Sequence, residues 1–251
     1  MARVPGEGED RAAFYALSPG GWRDYWTLLH PPYTIWHLSY VAIGAVLAAT
    51  LRLEWLGETL LAFFLAMGVG AHALDELHGR PLGTRISDRV LVILAVIGLA
   101  GAAAIGVHGV IVSTPWIGVF IVAGGFLVVA YNLELLGGRF HSDAWFAIAW
   151  GGFPVVTAYL AQTGRVSAAA VVAAVGCTAI SAAQRVLSTP VRRMRRDVVG
   201  VEGLVRLRDG TTEKLDPGTM RDAPERALRL LSLAMPLVAL ALVVAKVFPR
   251  R

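Results

Sequence analysis

The sequence predicts an all-α fold: a polytopic membrane helical bundle of about seven transmembrane helices with one small soluble hairpin insert. Three observations predict it. Hydrophobic residues make up 56% of the 251 and charged residues only 16%, leaving too little polar surface to cover a water-soluble core. Apolar runs near the roughly 20 residues needed to cross a bilayer recur along the chain. The basic residues gather between those runs, with a strong bias to one side.

Taken in order, the runs are Tyr33 to Leu51, Glu58 to Leu77, Val90 to Val107, Val110 to Tyr131, Asp143 to Ala161, Val166 to Val186, and Ala227 to Phe248. Residues 1–32 are expected to form a cytoplasmic or interfacial segment, and residues 33–251 the transmembrane helical domain. Met1 to His30 is polar and aromatic rather than an apolar run after a basic start, so no cleavable signal is expected. Within it, Trp22 to His30 mixes aromatic and charged residues as a short interfacial helix stopped by Pro31 and Pro32. The third and fourth runs are separated only by a turn at His108, Gly109 and Val110. Pro154 and Pro236 read as kinks, and the glycines and alanines of the third and sixth runs as sites of close helix packing.

The longest polar stretch, residues 192–226, is the expected cytoplasmic insert. Inside it Gly203 to Leu215 alternates apolar and polar residues on both sides of Asp209-Gly210, a hairpin signature. Asp222-Ala223-Pro224-Glu225 then reads as the cap and first turn of the last helix.

With the N-terminus in the cytoplasm, eighteen of the 23 Lys and Arg residues fall on the inner side and five on the outer. The positive-inside bias predicts a multi-pass cell-membrane protein with a cytoplasmic N-terminus and an external C-terminus. The +5 net charge is thereby read as orientation, and no nucleic-acid partner is expected. The lone Cys177 lies in an apolar run, which excludes an internal disulfide and any multi-cysteine zinc or iron–sulfur site.

Candidate chemistry collects at the inner ends of the second, fourth and sixth runs. His72, Asp75 and Glu76 stand at i, i+3 and i+4, one helix face on which three ligands could converge. Ionisable groups at membrane depth are costly and point to function by default. The competing reading is a hydrogen-bonded cluster that holds neighbouring helices. Mixed His and carboxylate donors suit zinc, iron or manganese better than magnesium, with His78 as a further ligand and His141 and Asp143 as possible additions. Asp143 equally reads as the cap of the fifth run. Tyr131 and Asn132 read as substrate contacts or as an interfacial belt, with Arg139 beside them. Gln184, Arg185, Ser188 and Arg192 lie on nearly one face and present donors able to hold a phosphate or carboxylate without metal. The Arg192 to Arg196 cluster reads alternatively as a positive stop against anionic headgroups. His37 is read as an interhelical hydrogen bonder before a ligand.

Pro32-Tyr33-Thr34-Ile35-Trp36 at the first run, the Asp75 motif followed by Gly79-Arg80-Pro81-Leu82, and Tyr131-Asn132 before a basic loop together resemble UbiA-type membrane prenyltransferases. Gly151-Gly152-Phe153-Pro154, with Tyr159-Leu160-Ala161-Gln162-Thr163-Gly164 closing the same helix, is similar to that family's fifth-helix pattern. The resemblance covers about Pro32 to Leu242. It implies a bundle around a lipid-open cavity, with two Asp-rich motifs holding magnesium against an isoprenoid diphosphate. Asp75 is the one aspartate kept in the first motif, where His72 and Gly79 take two other positions; the second motif, Gln184 to Arg193, has no carboxylate. The chain also has about seven runs where the family usually has nine helices.

The expected activity is therefore transfer or processing of an isoprenoid or lipid substrate in a cytoplasm-facing cavity. Asp75 and Glu76, with His72, bind a divalent cation or act as base, and Arg185 and Arg192 hold the anionic group. Two alternatives stand beside it: a metal-dependent oxidative or hydrolytic enzyme using His72, Asp75, Glu76, His78 and His141, and a non-catalytic subunit of an oligomer or larger membrane complex.

Overall fold

The computed structural model describes residues 11–248. The residues before and after this span, including Arg3 and the terminal arginines of the charge count, lie outside the described residues. Among the described residues, nine helices and one small hairpin follow one another: α1 (Trp22–Leu28), α2 (Pro31–Val46), α3 (Leu53–Leu77), α4 (Asp88–Val112), α5 (Ile117–Asn132), the single turn α6 (Leu135–Gly138), α7 (Asp143–Thr163), α8 (Ala168–Arg196), β1 (Leu204–Arg206), β2 (Thr212–Lys214) and α9 (Pro217–Val247). Among the described residues, α3, α4, α7, α8 and α9 are long and apolar enough to cross a membrane, which makes this a multi-pass membrane protein. Five of the expected seven spans therefore correspond to helices of full crossing length. The helices α2 and α5 have 16 residues each, about 24 Å at 1.5 Å per residue, against a hydrocarbon core of roughly 30 Å.

The bundle is turned inside out relative to a soluble one. Val92, Ile93, Val96 and Ile97 of α4 and Leu233, Leu237, Val238 and Leu240 of α9 are all exposed, the arrangement of helices whose outer faces meet lipid. The short α2, by contrast, is enclosed. Trp36, Tyr40 and Val41 are wholly buried, and α2 packs against α7 and α9. One core cluster joins Trp36 and Tyr40 to Val155, Cys177, Leu228 and Met235, so Cys177 is a packing residue. A second joins Leu74, Leu82, Ile86 and Leu91 at the α3–α4 connection.

Each helix boundary has a local cause. Pro31 and Pro32 occupy the first turn of α2, where a missing amide hydrogen costs nothing, and the chain reaches them through His30 in the left-handed region (φ 46°). The connection between α4 and α5 falls at Ser113 to Trp116 instead of at His108, because Pro115 cannot continue the helix. His108 sits inside α4 and faces Glu58 of α3 at 3.2 Å. At the start of α7 the cap is Ser142, whose hydroxyl accepts from the Trp145 amide; Asp143 is the first helical residue and not the cap. The last helix opens at Asp216, earlier than the expected Asp222, because Asp216 and Thr219 form a reciprocal capping box ahead of it. The hairpin is as the sequence suggests: Leu204 pairs with Lys214 and Arg206 with Thr212, and the turn holds Gly210 at φ 88°.

Two helices carry an inserted π segment, Phe64–Ala71 in α3 and Ile148–Gly152 in α7. Such widened turns rotate whatever follows them and recur at functional sites. The first is braced by α4 at a glycine contact: a Cβ on Gly98 would stand 2.5 Å from the Leu65 carbonyl oxygen and 2.9 Å from the Gly70 amide nitrogen. Backbone meets backbone there because neither side has a side chain in the way.

Candidate functional site

A polar cavity of about 120 Å³ opens where the C-terminal ends of α3, α5 and α8 meet the N-terminal ends of α2 and α7. The π segment of α3 ends at Ala71, and the next turn presents His72 and Asp75 to the cavity. From α8 come Gln184, Arg185, Ser188, Arg192 and Arg196; from α5, Tyr131 and Asn132; from the loop before α7, His141. Residues from three separate parts of the sequence that were candidates for chemistry therefore share one chamber.

Four candidates lie elsewhere. Glu76 is wholly buried and accepts from the Leu82 amide (2.9 Å) and from both the amide and the hydroxyl of Thr84 (2.8 Å each). It holds the loop between α3 and α4 closed. Successive helical residues point about 100° apart, so Asp75 and Glu76 cannot both reach the cavity. His78 and Arg139 are exposed and do not line it. Asp143 is an outer partner: its carboxylate accepts from Arg185 Nε at 2.8 Å.

The hydrogen-bond partners fix which imidazole nitrogens carry protons. His72 Nδ1 donates to the Gly68 carbonyl at 3.1 Å and His141 Nδ1 to the Tyr131 carbonyl at 2.9 Å, leaving a lone pair on each Nε2. His37 Nε2 donates to Gln184 Oε1 at 2.9 Å, and its buried Nδ1 has no partner. The Tyr15 hydroxyl and His30 Nδ1 share a hydrogen bond, and the buried His30 Nε2 has no partner either. The rings of His30 and His72 meet at a tilt of 34° with centroids 4.3 Å apart. Burial is the main cause that holds His30 neutral, well below the usual imidazole value, with the neighbouring His72 adding to it. Burial first, and the Tyr33 phenol second, keep Tyr15 protonated well above the usual phenol value.

One mouth of the chamber is covered by the chain's own N-terminal segment. Ala12, Ala13, Phe14 and Tyr15 line the cavity. They are held by Arg195 Nη1 donating to the Arg11 carbonyl (3.3 Å), by Arg196 Nε donating to that of Ala12 (3.4 Å), and by the Leu17 amide donating to Thr27 Oγ1 (3.0 Å). Arg195 in turn reaches Glu225 of α9 at 2.7 Å, and Arg229 reaches the same carboxylate at 2.6 Å.

Charge in the chamber is lopsided. Arg185, Arg192 and Arg196 face it, and Asp75 is the one carboxylate on its wall among the described residues. No hydrogen bond or ion pair engages the Asp75 carboxylate or the Arg192 guanidinium among the described residues. The guanidinium of Arg185 is oriented by Asp143 and lies 5.1 Å from the centroid of the Phe146 ring. This donor set does not fit the magnesium-bridged diphosphate that the family resemblance implies: the chamber offers one carboxylate where two Asp-rich motifs are implied, and three guanidiniums on the same wall repel a cation. Nor do any three His, Cys, Asp or Glu side chains among the described residues come together as a metal site, so the expected set of His72, Asp75, Glu76 and His78 is not assembled.

A second, apolar cavity of about 480 Å³ runs between α3, α4, α5 and α7, lined among others by Phe63, Met67, Gly106, Phe120 and Phe153. Trp150, on the π segment of α7, lines both cavities. It stacks on Phe146 at 5.3 Å and leans on Tyr131 at 4.7 Å, so an aromatic partition stands between the polar chamber and the apolar one.

Sequence reasoning missed Trp150, Tyr15 and His30 altogether. Their signal is tertiary: Tyr15 reaches the cavity only because the N-terminal segment folds back under α8. No family model, no curated protein and no solved structure matches this chain.

Proposed function

We propose that this chain is a divergent UbiA-like membrane protein that transfers or processes an amphiphile, an isoprenoid or other lipid carrying an anionic head. The observation that carries this reading is the junction at Trp150: a basic polar chamber and a larger apolar cavity share one residue as their wall. An amphiphile needs both environments side by side, and a chain-binding cavity of a few hundred Å³ is the usual size for such ligands. In this reading Arg185 and Arg192 hold the head, the Nε2 lone pair of His72 or the Asp75 carboxylate takes a proton, and the aliphatic tail lies along Phe63, Phe120 and Phe153. The aromatic partition excludes water from the reacting carbon.

The motif order from Tyr33 to Gly164 supports the family, and the charge bias supports a cytoplasmic N-terminus with α2 and α5 completing seven crossings. Thr211→Cys in the hairpin would then react with a membrane-impermeant maleimide only after permeabilisation; labelling in intact cells reverses the topology. The function itself is tested with purified protein in nanodiscs, measuring binding of tritiated farnesyl diphosphate and its turnover with lipophilic acceptors. Ala103→Trp, which fills the apolar cavity, should abolish binding without lowering the melting temperature. Wild-type binding in that variant would overturn the reading.

A further inference from the structure

The polar chamber combines an excess of positive charge with polar atoms that the fold leaves unanswered. Three guanidiniums face one carboxylate on its wall, and even with Arg185 paired to Asp143 from outside, one positive charge is left in excess. Arg192 makes no hydrogen bond or ion pair among the described residues, and the buried Nε2 of His30 has no hydrogen-bond partner. A buried polar group left unmatched costs more than a made bond returns, so the site lacks an acceptor-rich anionic ligand.

We propose that the chamber binds a phosphate or diphosphate group directly through guanidinium and imidazole donors, with no divalent cation between protein and ligand. The inference builds on the amphiphile reading above and specifies how its head is held. Guanidinium presents a planar fork of N–H groups that matches two phosphate oxygens at once. Arg185 is already oriented for this by Asp143 at 2.8 Å and by the Phe146 ring. Arg192 and Arg196 follow it along α8 at seven and eleven residues, two and three turns further on the same face. Ser188 lies between Arg185 and Arg192 and also lines the wall. A bridging cation would have to enter beside three positive side chains with Asp75 as its one carboxylate anchor, which Coulomb repulsion opposes.

The test is binding of tritiated farnesyl diphosphate to the full-length protein in nanodiscs, in EDTA and in magnesium chloride, with inorganic diphosphate as competitor. Equal affinity in the two buffers is expected. Arg192→Gln should weaken binding about tenfold or more in both, and Asp75→Asn should tighten it by removing a repelling charge. Arg192→Lys, which keeps the charge and loses the fork, should fall between, and the melting temperature of each variant separates lost binding from lost folding. Weak competition by inorganic diphosphate assigns the head of an amphiphile, and equal competition assigns a free anion; both support direct anion binding. Binding seen only with magnesium and lost in Asp75→Asn would overturn the inference and leave the amphiphile reading standing. Binding in neither buffer would overturn both, and unchanged binding in a folded Arg192→Gln would overturn the inference alone.

Discussion

The imidazole of His37 donates to the carboxamide oxygen of Gln184 across 2.9 Å, joining α2 to α8 through residues 147 positions apart, both about 97% buried. The bond lies in the wall of the polar chamber and fixes the face of α8 that carries Arg185 and Arg192. Replacing Gln184 by Leu leaves a buried N–H without an acceptor, so a loss of about 1–3 kcal/mol is expected. Combining it with His37→Phe should cost less than the sum of the single changes. Thermal unfolding in detergent measures this, and strictly additive losses would show that the bond has no coupling energy.

Asp75 and Glu76 are neighbours with opposite assignments. The Glu76 carboxylate closes the α3–α4 loop through three accepted hydrogen bonds. In Glu76→Gln one carboxylate oxygen becomes an NH₂ facing a donor, and a loss of about 2 kcal/mol or more is expected. Asp75→Asn should leave the melting temperature near that of the wild type. Faster proteolysis at residues 78–87 in Glu76→Gln alone would confirm the division of roles.

Glycine at 44 permits the approach of α2 to α7. A Cβ there would lie 2.2 Å from the Val155 carbonyl oxygen, whereas one on Gly176 of α8 meets nothing within 4 Å. Gly44→Ala is therefore expected to destabilise the bundle through forced backbone separation, and Gly176→Ala to stabilise it by up to about 1 kcal/mol through helix propensity. A stable Gly44→Ala protein would show that α2 and α7 do not pack as described.

Acid should loosen the N-terminal cover. Packed against Tyr15 and His72, with Arg192 and Arg196 nearby, His30 holds its proton less readily than when detached, where the ordinary value of 6.5 applies. Below that value the detached state binds more protons than the packed one, so stability falls as pH falls. After correction for the intrinsic pH dependence of amide exchange, the protection of residues 11–30 should fall between about pH 7 and about pH 5, and His30→Gln should flatten the dependence. A loss of protection unchanged in that variant would assign it to another group.

Much of this architecture was legible from residue order. Apolar content and run length determine a helical membrane bundle, since within lipid only helices and closed barrels satisfy every backbone group, and continuous apolar runs of roughly 20 residues fit the helix. Alternation around Asp209-Gly210 determines the hairpin, and the position of Pro31 determines where α2 begins, because these choices depend on neighbours within a few residues. The sequence also marks His72, Asp75, Tyr131, Gln184, Arg185, Ser188 and Arg192 as polar residues worth pairing. What it leaves open is who faces whom. Helical spacing puts Asp75 and Glu76 near one face, but the loop at Leu82 and Thr84 claims one of them, and the π turn ending at Ala71 sets the angle of the other. The fold alone brings Ala12 beneath Arg196, 184 residues away, and sets Trp150 between a basic chamber and an apolar one. Contacts over such separations are chosen by how whole helices pack, a choice that no local pattern encodes.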